Sequence, residues 1–241
     1  MVRPISFFPT SVRILRLMLR LLTQDPQSLR FALRWIQSLR TGHAALKDEQ
    51  PALTFKALAW LEAYVKPWMS VFEYGTGGST LFFARRVKTL VSVEHYSDWF
   101  AKLTKSLEGI RVNNCSLLLR EPEVSSLRDV PTYGPGTYTS TDEQYKYVRF
   151  EAYVKSIDCY PDESFDLVLV DGRSRATCIL HALPKIKPDG YLMLDNSERS
   201  QYGTAEALLS QHERTDFFGV GPYSERPWQT SIWKIRHASR S

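Results

Sequence analysis

The stretch Val71-Phe72-Glu73-Tyr74-Gly75-Thr76-Gly77-Gly78-Ser79-Thr80 constrains this chain more than any other. An apolar run ends in a glycine-rich turn that opens a helical pattern, and in an open α/β sheet ligands bind at such strand exits. Glycines there let the backbone approach a ligand without side-chain obstruction. The rest of the chain repeats the theme. Strand-like runs at Met69 to Tyr74, Thr89 to Glu94, Ile110 to Leu119, Phe165 to Val170 and Tyr191 to Leu194 alternate with helical stretches. Those helices are expected near Thr80 to Arg86, Asp98 to Leu107, Gln144 to Ile157 and Ala176 to Leu183. Such alternation predicts a mostly parallel sheet with helices on both faces. A helix from Thr204 to Gln211 and strands at Asp216 to Val220 and Thr230 to Ile235 close the chain, the two strands pairing as a hairpin-like edge.

With 241 residues, 43% of them hydrophobic and 24% charged, the chain suits one α/β domain with an appendage. We place that domain at residues 51–241, behind an N-terminal helical arm at residues 1–50. The arm holds a basic amphipathic helix from Thr10 to Thr23, with Arg13, Arg16 and Arg20 on one face, and a second helix from Ser28 to Leu39 whose buried candidates include Phe31 and Trp35. A polar link, Thr41 to Gln50, follows, and Pro51 is expected in the first turn of the helix that leads into the domain. The arm either packs its apolar face on the domain or serves as a lid or a weak membrane-surface contact. The net charge of +5 is concentrated there. Without stacking aromatics among the basic residues or a known binding motif, nucleic acid is not an expected partner.

Cys115, Cys159 and Cys178 lack metal or redox spacing and read as reduced thiols. The N-terminus reads poorly as a secretory signal, and no apolar run has the length of a membrane span. The expected location is therefore cytoplasmic, with membrane-peripheral attachment as the variant.

Three details narrow the ligand. Thr80 occupies the place of the third glycine in a dinucleotide fingerprint, and the Gly-Lys pair of a phosphate loop is missing. Glu73, at the strand end, repels phosphate and suits an ammonium group. Glu94 ends the second strand about as far beyond the glycines as an acid that binds two ribose hydroxyls; read alone it would be a solvated residue.

Glu73-x-Gly75-x-Gly77 followed by Glu94 resembles the first two motifs of class I S-adenosylmethionine (SAM)-dependent methyltransferases. Phe165-Asp166-Leu167-Val168-Leu169-Val170-Asp171-Gly172 resembles the family's fourth strand, and Leu183 to Leu194 its following helix, tight turn and fifth strand. The resemblance covers most of residues 51–241. It implies a Rossmann-like, seven-stranded, mostly parallel sheet with an antiparallel C-terminal edge strand. It also implies SAM as cofactor, held by Glu73, Gly75, Thr76, Gly77, Gly78, Ser79, Glu94, His95 and Asp171. The departure is Leu119-Arg120-Glu121, which offers no clear acid for the adenine.

On the substrate side, Asp171 follows one strand and Asp195-Asn196 another. The trio resembles the metal site of catechol- and caffeoyl-CoA-type O-methyltransferases, and hard oxygen ligands would suit Mg²⁺ or another divalent cation. The alternatives are that these side chains satisfy turn amides, or that Arg173 and Arg175 pair with Asp171. Asp171 is the expected catalytic residue, as general base or as orienter of the sulfonium. His95 and His181 are further bases or structural histidines, and the segment bearing Tyr133, Tyr138, Tyr145, Tyr147, Tyr153 and Tyr160 reads as a substrate loop or as core aromatics. The implied activity is methyl transfer from SAM to a small-molecule or glycan hydroxyl. A non-catalytic SAM- or nucleoside-binding module and an NAD-dependent oxidoreductase are the competing readings.

Overall fold

The computed structural model describes residues 15, 16, 18, 19, 21–23, 25–124 and 133–236. Its centre is a seven-stranded sheet built from β1 (Ser70–Tyr74), β2 (Thr89–Glu94), β3 (Cys115–Leu119), β6 (Phe165–Val170), β7 (Ile186–Asp195), β8 (Glu213–Gly219) and β9 (Trp228–Lys234), in the order β3-β2-β1-β6-β7-β9-β8. The two-residue strands β4 (Glu123–Val124) and β5 (Val148–Arg149) pair separately. Neighbours from β3 to β7 run parallel, whereas β9 is antiparallel to both β7 and β8. The expected antiparallel C-terminal edge is thus a pair, with β8 outermost.

The central strands read as nearly continuous apolar runs because helices cover both faces. Leu167 and Leu169 of β6 face one core with Val71 and Leu90, while Val168 and Val170 face the other with Phe72 and Tyr74. Two polar residues interrupt this pattern. Glu73 and Ser92 are register partners on β1 and β2, and both are fully buried.

In chain order the α-helices are α1 (Ala32–Ser38), α2 (Phe55–Tyr64), α3 (Gly78–Ala84), α4 (Ser97–Ile110), α5 (Glu151–Val154), α6 (Arg175–Ala182) and α7 (Gly203–Leu208). Several differ from the sequence reading. Pro51 precedes α2, which starts after Thr54, whose hydroxyl accepts the Ala57 amide. Helix α4 continues to Ile110 and ends where Arg111 adopts a left-handed conformation (φ 53°), so β3 begins only at Cys115. The continuous helix expected over Gln144 to Ile157 is broken, because Val148 and Arg149 pair with β4 and the Phe150 amide bonds to the Tyr138 carbonyl at 2.8 Å.

Of the basic helix expected over Thr10 to Thr23, residues 15, 16, 18, 19 and 21–23 are helical, while Arg13 and Arg20 lie outside the described residues. Leu21, Ala32 and Trp35 are buried against Phe55, Leu58 and Val220, so this portion of the arm packs on the domain. The Trp35 indole N–H donates to the Ser224 carbonyl at 2.7 Å. Among the described residues no helix is long and apolar enough to cross a membrane. Because Trp35 is fully buried, Trp35→Ala is expected to lower the unfolding free energy by about 3–5 kcal/mol in a urea titration, the range for truncating a large aromatic in a core.

Candidate functional site

Strand order reverses between β2 and β6, on either side of β1, and the loops leaving β1 and β6 meet at this point. The Gly75 amide bonds to the Val93 carbonyl at 3.0 Å and the Asp171 amide to the Tyr74 carbonyl at 2.9 Å, extending the parallel ladders into both loops. Gly75 has φ 85°, and a Cβ on it would lie 2.7 Å from the Asp171 carbonyl oxygen and from Gly172 Cα. Any side chain at this position would force the two loops apart.

Glu73 sits beneath the β1 loop. Thr80 and Ser92 donate hydroxyl hydrogen bonds to its Oε2 at 2.7 and 2.8 Å, and the Thr80 hydroxyl accepts the Gly77 amide at 3.1 Å. These bonds tie the loop, the start of α3 and β2 to one carboxyl group. Oε1 has no hydrogen-bond partner. Burial pushes the Glu73 pKa up to about 7, against the opposing pull of the surrounding hydroxyls.

A cavity of about 490 Å³ opens above the junction of the loops, within the range of small-molecule sites. Gly75, Thr76, Glu94, His95 and Asp171 line it, as do Tyr96, Trp99, Gln144, Tyr145, Gly172 and Arg173. The other residues assigned to the cofactor from sequence stand elsewhere. Glu73 is buried behind the loop, and a Cβ on Gly78 would collide with the carbonyls of Ala45 and Gln50. The absence of a side chain at Gly78 thus lets the link before Pro51 pack against α3. Ser79 is buried, whereas a Cβ on Gly77 would meet open space.

Glu94 is 3% exposed, and both of its oxygens are engaged. Oε1 accepts the amides of His95 and Tyr96 at 2.7 and 2.9 Å, and Oε2 accepts the Thr76 hydroxyl at 2.5 Å. Burial raises its pKa, but His95, Thr76 and the Tyr96 amide outweigh burial and leave the pKa lowered. His95 places Nδ1 2.9 Å from Glu94 Oε1, off the line of a hydrogen bond, and Nε2 3.0 Å from the Tyr145 hydroxyl. The Trp99 indole donates to the Thr76 carbonyl at 3.0 Å and braces the loop from the α4 side. Tyr96 and Trp99 carried no motif signal. Tyr145 belongs to the tyrosine-rich segment, and the part of that segment at 125–132 lies outside the described residues.

Asp171 presents a side chain 29% exposed, with Oδ1 held by Arg175 at 2.9 Å. Burial raises its pKa, opposed by Arg175, Arg199 and Arg173. Arg175 also donates to the Gly172 carbonyl at 2.9 Å and to the Asp195 carbonyl. The Asp195 carboxylate instead accepts the Trp228 indole at 2.8 Å and the Thr230 hydroxyl at 2.6 Å, inside the sheet edge. Asn196 follows in a left-handed turn (φ 53°). The expected metal trio of Asp171, Asp195 and Asn196 therefore does not fit a cation. A guanidinium stands between Asp171 and the Asp195 backbone, and among the described residues no group of three His, Cys, Asp or Glu is arranged to hold one. The possible pairing of Asp171 is realised by Arg175, while Arg173 contacts Asp142 at 3.3 Å. His181 is bonded to Asp158 at 2.8 Å and does not line the cavity.

No protein-family model matches the chain, and no curated protein is similar to it in sequence. Solved structures do resemble it. The O-methyltransferase TomG of Streptomyces achromogenes, in complex with SAM, has a TM-score of 0.59 at 14% identity, covering 89% of this chain and 99% of its own. A candidate O-methyltransferase from Klebsiella pneumoniae has a TM-score of 0.52 at 17% identity, covering 94% and 97%, and a Corynebacterium glutamicum protein 0.53 at 11%, covering 90% and 100%. The fold is that of the class I methyltransferases. In this methyltransferase fold the cavity between the β1 and β6 exits lies at the switch point where open α/β sheets bind their ligands.

The Glu73 carboxyl supplies a pH test. The folded state retains a proton that the unfolded chain releases above its ordinary value of 4.5, so stability falls as pH rises from there through about 7 and is flat beyond. The loss has an upper limit of about 3 kcal/mol. Denaturant midpoints measured from pH 4.5 to 8 should show this decline, and Glu73→Gln should reduce it, leaving the part contributed by Asp171 and Asp195, whose pKa values burial also raises.

Proposed function

We propose that the chain binds SAM in the cavity over Gly75 and transfers its methyl group to a hydroxyl of a small molecule or glycan. The observation that carries this reading is the meeting of Gly75, Glu94 and Asp171 around one cavity, with Glu94 ionised at the end of β2. When bound, SAM supplies a methyl group on a sulfonium, which passes to the acceptor oxygen while the sulfur keeps the bonding electron pair.

The chain's own residues position and neutralise. Glu94 has three of its roughly four lone-pair directions filled by His95, Tyr96 and Thr76. The remaining one suits a ribose hydroxyl, and rotation of the Thr76 hydroxyl frees a second. Tyr96 and Trp99 offer ring faces for the adenine, where Leu119-Arg120-Glu121 left the contact open. Glu73 acts through the loop it ties down. Asp171 has Oδ1 fixed by Arg175, which leaves Oδ2 to orient the acceptor hydroxyl and take its proton. Transfer itself asks for alignment more than for acid–base strength, which fits a site with one available carboxylate.

Calorimetric titration of SAM, S-adenosylhomocysteine and NAD tests the cofactor directly. The two sulfur nucleosides should bind and NAD should not; binding of NAD alone would sink the reading. Glu94→Ala is expected to weaken S-adenosylhomocysteine by about 1–3 kcal/mol, roughly 5- to 150-fold, the range for hydrogen bonds to a charged group.

If Asp171 takes the proton, only its ionised form is active. Because its pKa is raised, the rate of methyl transfer should fall with decreasing pH along a limb above the ordinary aspartate value of 3.8. Asp171→Asn should remove that limb and lower kcat, measured at saturating SAM.

A further inference from the structure

A second cavity, of about 280 Å³, lies on the other side of Gly172 and Arg173, which line both spaces. Its walls come from the segment around Thr139 to Asp142, the start of α6 and the turn at Arg199 to Tyr202. Arg173, Arg175 and Arg199 line it, against a single acidic side chain, Asp142, among the described residues.

These arginines are not equally occupied. Arg175 is spent on Asp171 and on two carbonyls. Arg173 reaches Asp142 with one terminal nitrogen at 3.3 Å, but its Nε is buried and has no partner. Among the described residues the Arg199 guanidinium makes no hydrogen bond or ion pair, although its charge acts on Asp171, and the residue is exposed at the cavity mouth. A buried guanidinium N–H without an acceptor, such as the Arg173 Nε, is costly, and an oxyanion is the natural complement of such a group.

The neutral donors point to the same chemistry. Ser174 is 6% exposed, its Oγ has no partner, and it does not cap the helix it precedes. Arg175 and Ala176 open the eight-residue α6 at the cavity wall, and amides in a first helical turn have no intrahelical acceptor. The hydroxyls of Ser140 and Thr141 accept hydrogen bonds from the Asp142 amide and the Gln201 side chain, which leaves their own protons to donate. Three guanidinium groups against one carboxylate give the lining a net positive charge, which favours an anionic group over a neutral one.

We propose that this cavity seats an oxyanion of the methyl acceptor, a phosphate, sulfate or carboxylate group, held by Arg199, Arg173 and the Ser174 hydroxyl at the start of α6. The inference rests on the reading of the adjoining cavity as the SAM site. It adds that the acceptor is an anionic small molecule whose reacting hydroxyl lies toward the shared Gly172–Arg173 wall. An anion there also lies on the side of Asp171 from which the guanidinium groups act, so their charge offsets the crowding of two negative groups.

The test titrates inorganic phosphate, sulfate and acetate into the full chain, with and without S-adenosylhomocysteine, for the unaltered protein, Arg199→Gln and Ser174→Ala. Saturable binding of at least one anion is expected, weakened about 10-fold or more by Arg199→Gln and about 3- to 10-fold by Ser174→Ala. S-adenosylhomocysteine affinity should stay within about 2-fold in both variants, since neither residue lines its cavity. The anion that binds best separates phosphorylated and sulfated acceptors from carboxylated ones. Absence of saturable binding by all three anions, or undiminished binding in both variants, would overturn the proposal. Anion binding that depends on Arg199 in a protein that ignores S-adenosylhomocysteine would instead retain the anion site and discard the SAM reading.

Discussion

The architecture of the site depends on the contact between the backbone at Gly75 and that at Asp171 and Gly172. Two strands that leave the sheet side by side at its switch point must diverge around a ligand without separating from each other. Gly75 meets this demand by having no side chain and a left-handed φ, so that its Cα lies against the opposite loop. On one side of the junction lies the cavity lined by Glu94, and on the other the cavity lined by the arginines, with Gly172 and Arg173 as their common wall.

The junction is held from below by a polar core. A carboxyl group buried between β1, β2 and α3 is expensive, and its cost is offset by the hydroxyls of Thr80 and Ser92. The same arrangement explains two residues that interrupt otherwise apolar patterns. Ser92 sits in the middle of β2 because Glu73 is its neighbour across the ladder, and Thr80 replaces glycine because its hydroxyl links the carboxyl to the Gly77 amide. Rigidity at the loop thus arises from hydrogen bonds to one charged or protonated group, which makes it sensitive to pH in a way that an apolar core would not be.

Arg175 provides the second organising interaction. Its guanidinium joins Asp171, Gly172 and Asp195, linking the exits of β6 and β7 at the point where oxygen ligands had suggested a cation. The positive charge at that position is covalently part of the chain. With Asp195 turned toward Trp228 and Thr230, its carboxylate serves the antiparallel edge of the sheet and not the cavity. This leaves Asp171 as the acid that both pairs with Arg175 and lines the cavity.

Residue order by itself determined the alternation of strands and helices, the glycine turn and the acid at the end of β2, because each is local: a short apolar run, a residue type that tolerates positive φ, a fixed spacing. The limits of β2 and β6 were legible for that reason. The broken helix before Ile157 was not, since its interruption comes from pairing with Glu123 and Val124, residues distant in sequence. Positions at the cavity divided along the same line. Glu94, Thr76, His95 and Asp171 line the cavity because they stand at or just beyond strand ends, whereas Tyr96, Trp99 and Arg173 gained their places only through packing. Whether Gly78 faces a ligand or the link before Pro51, and whether Asp195 faces a metal or an indole, depended on what the rest of the chain laid against them. A sequence states which groups stand at a strand end, but only the folded chain decides which charges meet there, because that depends on contacts between residues far apart along it.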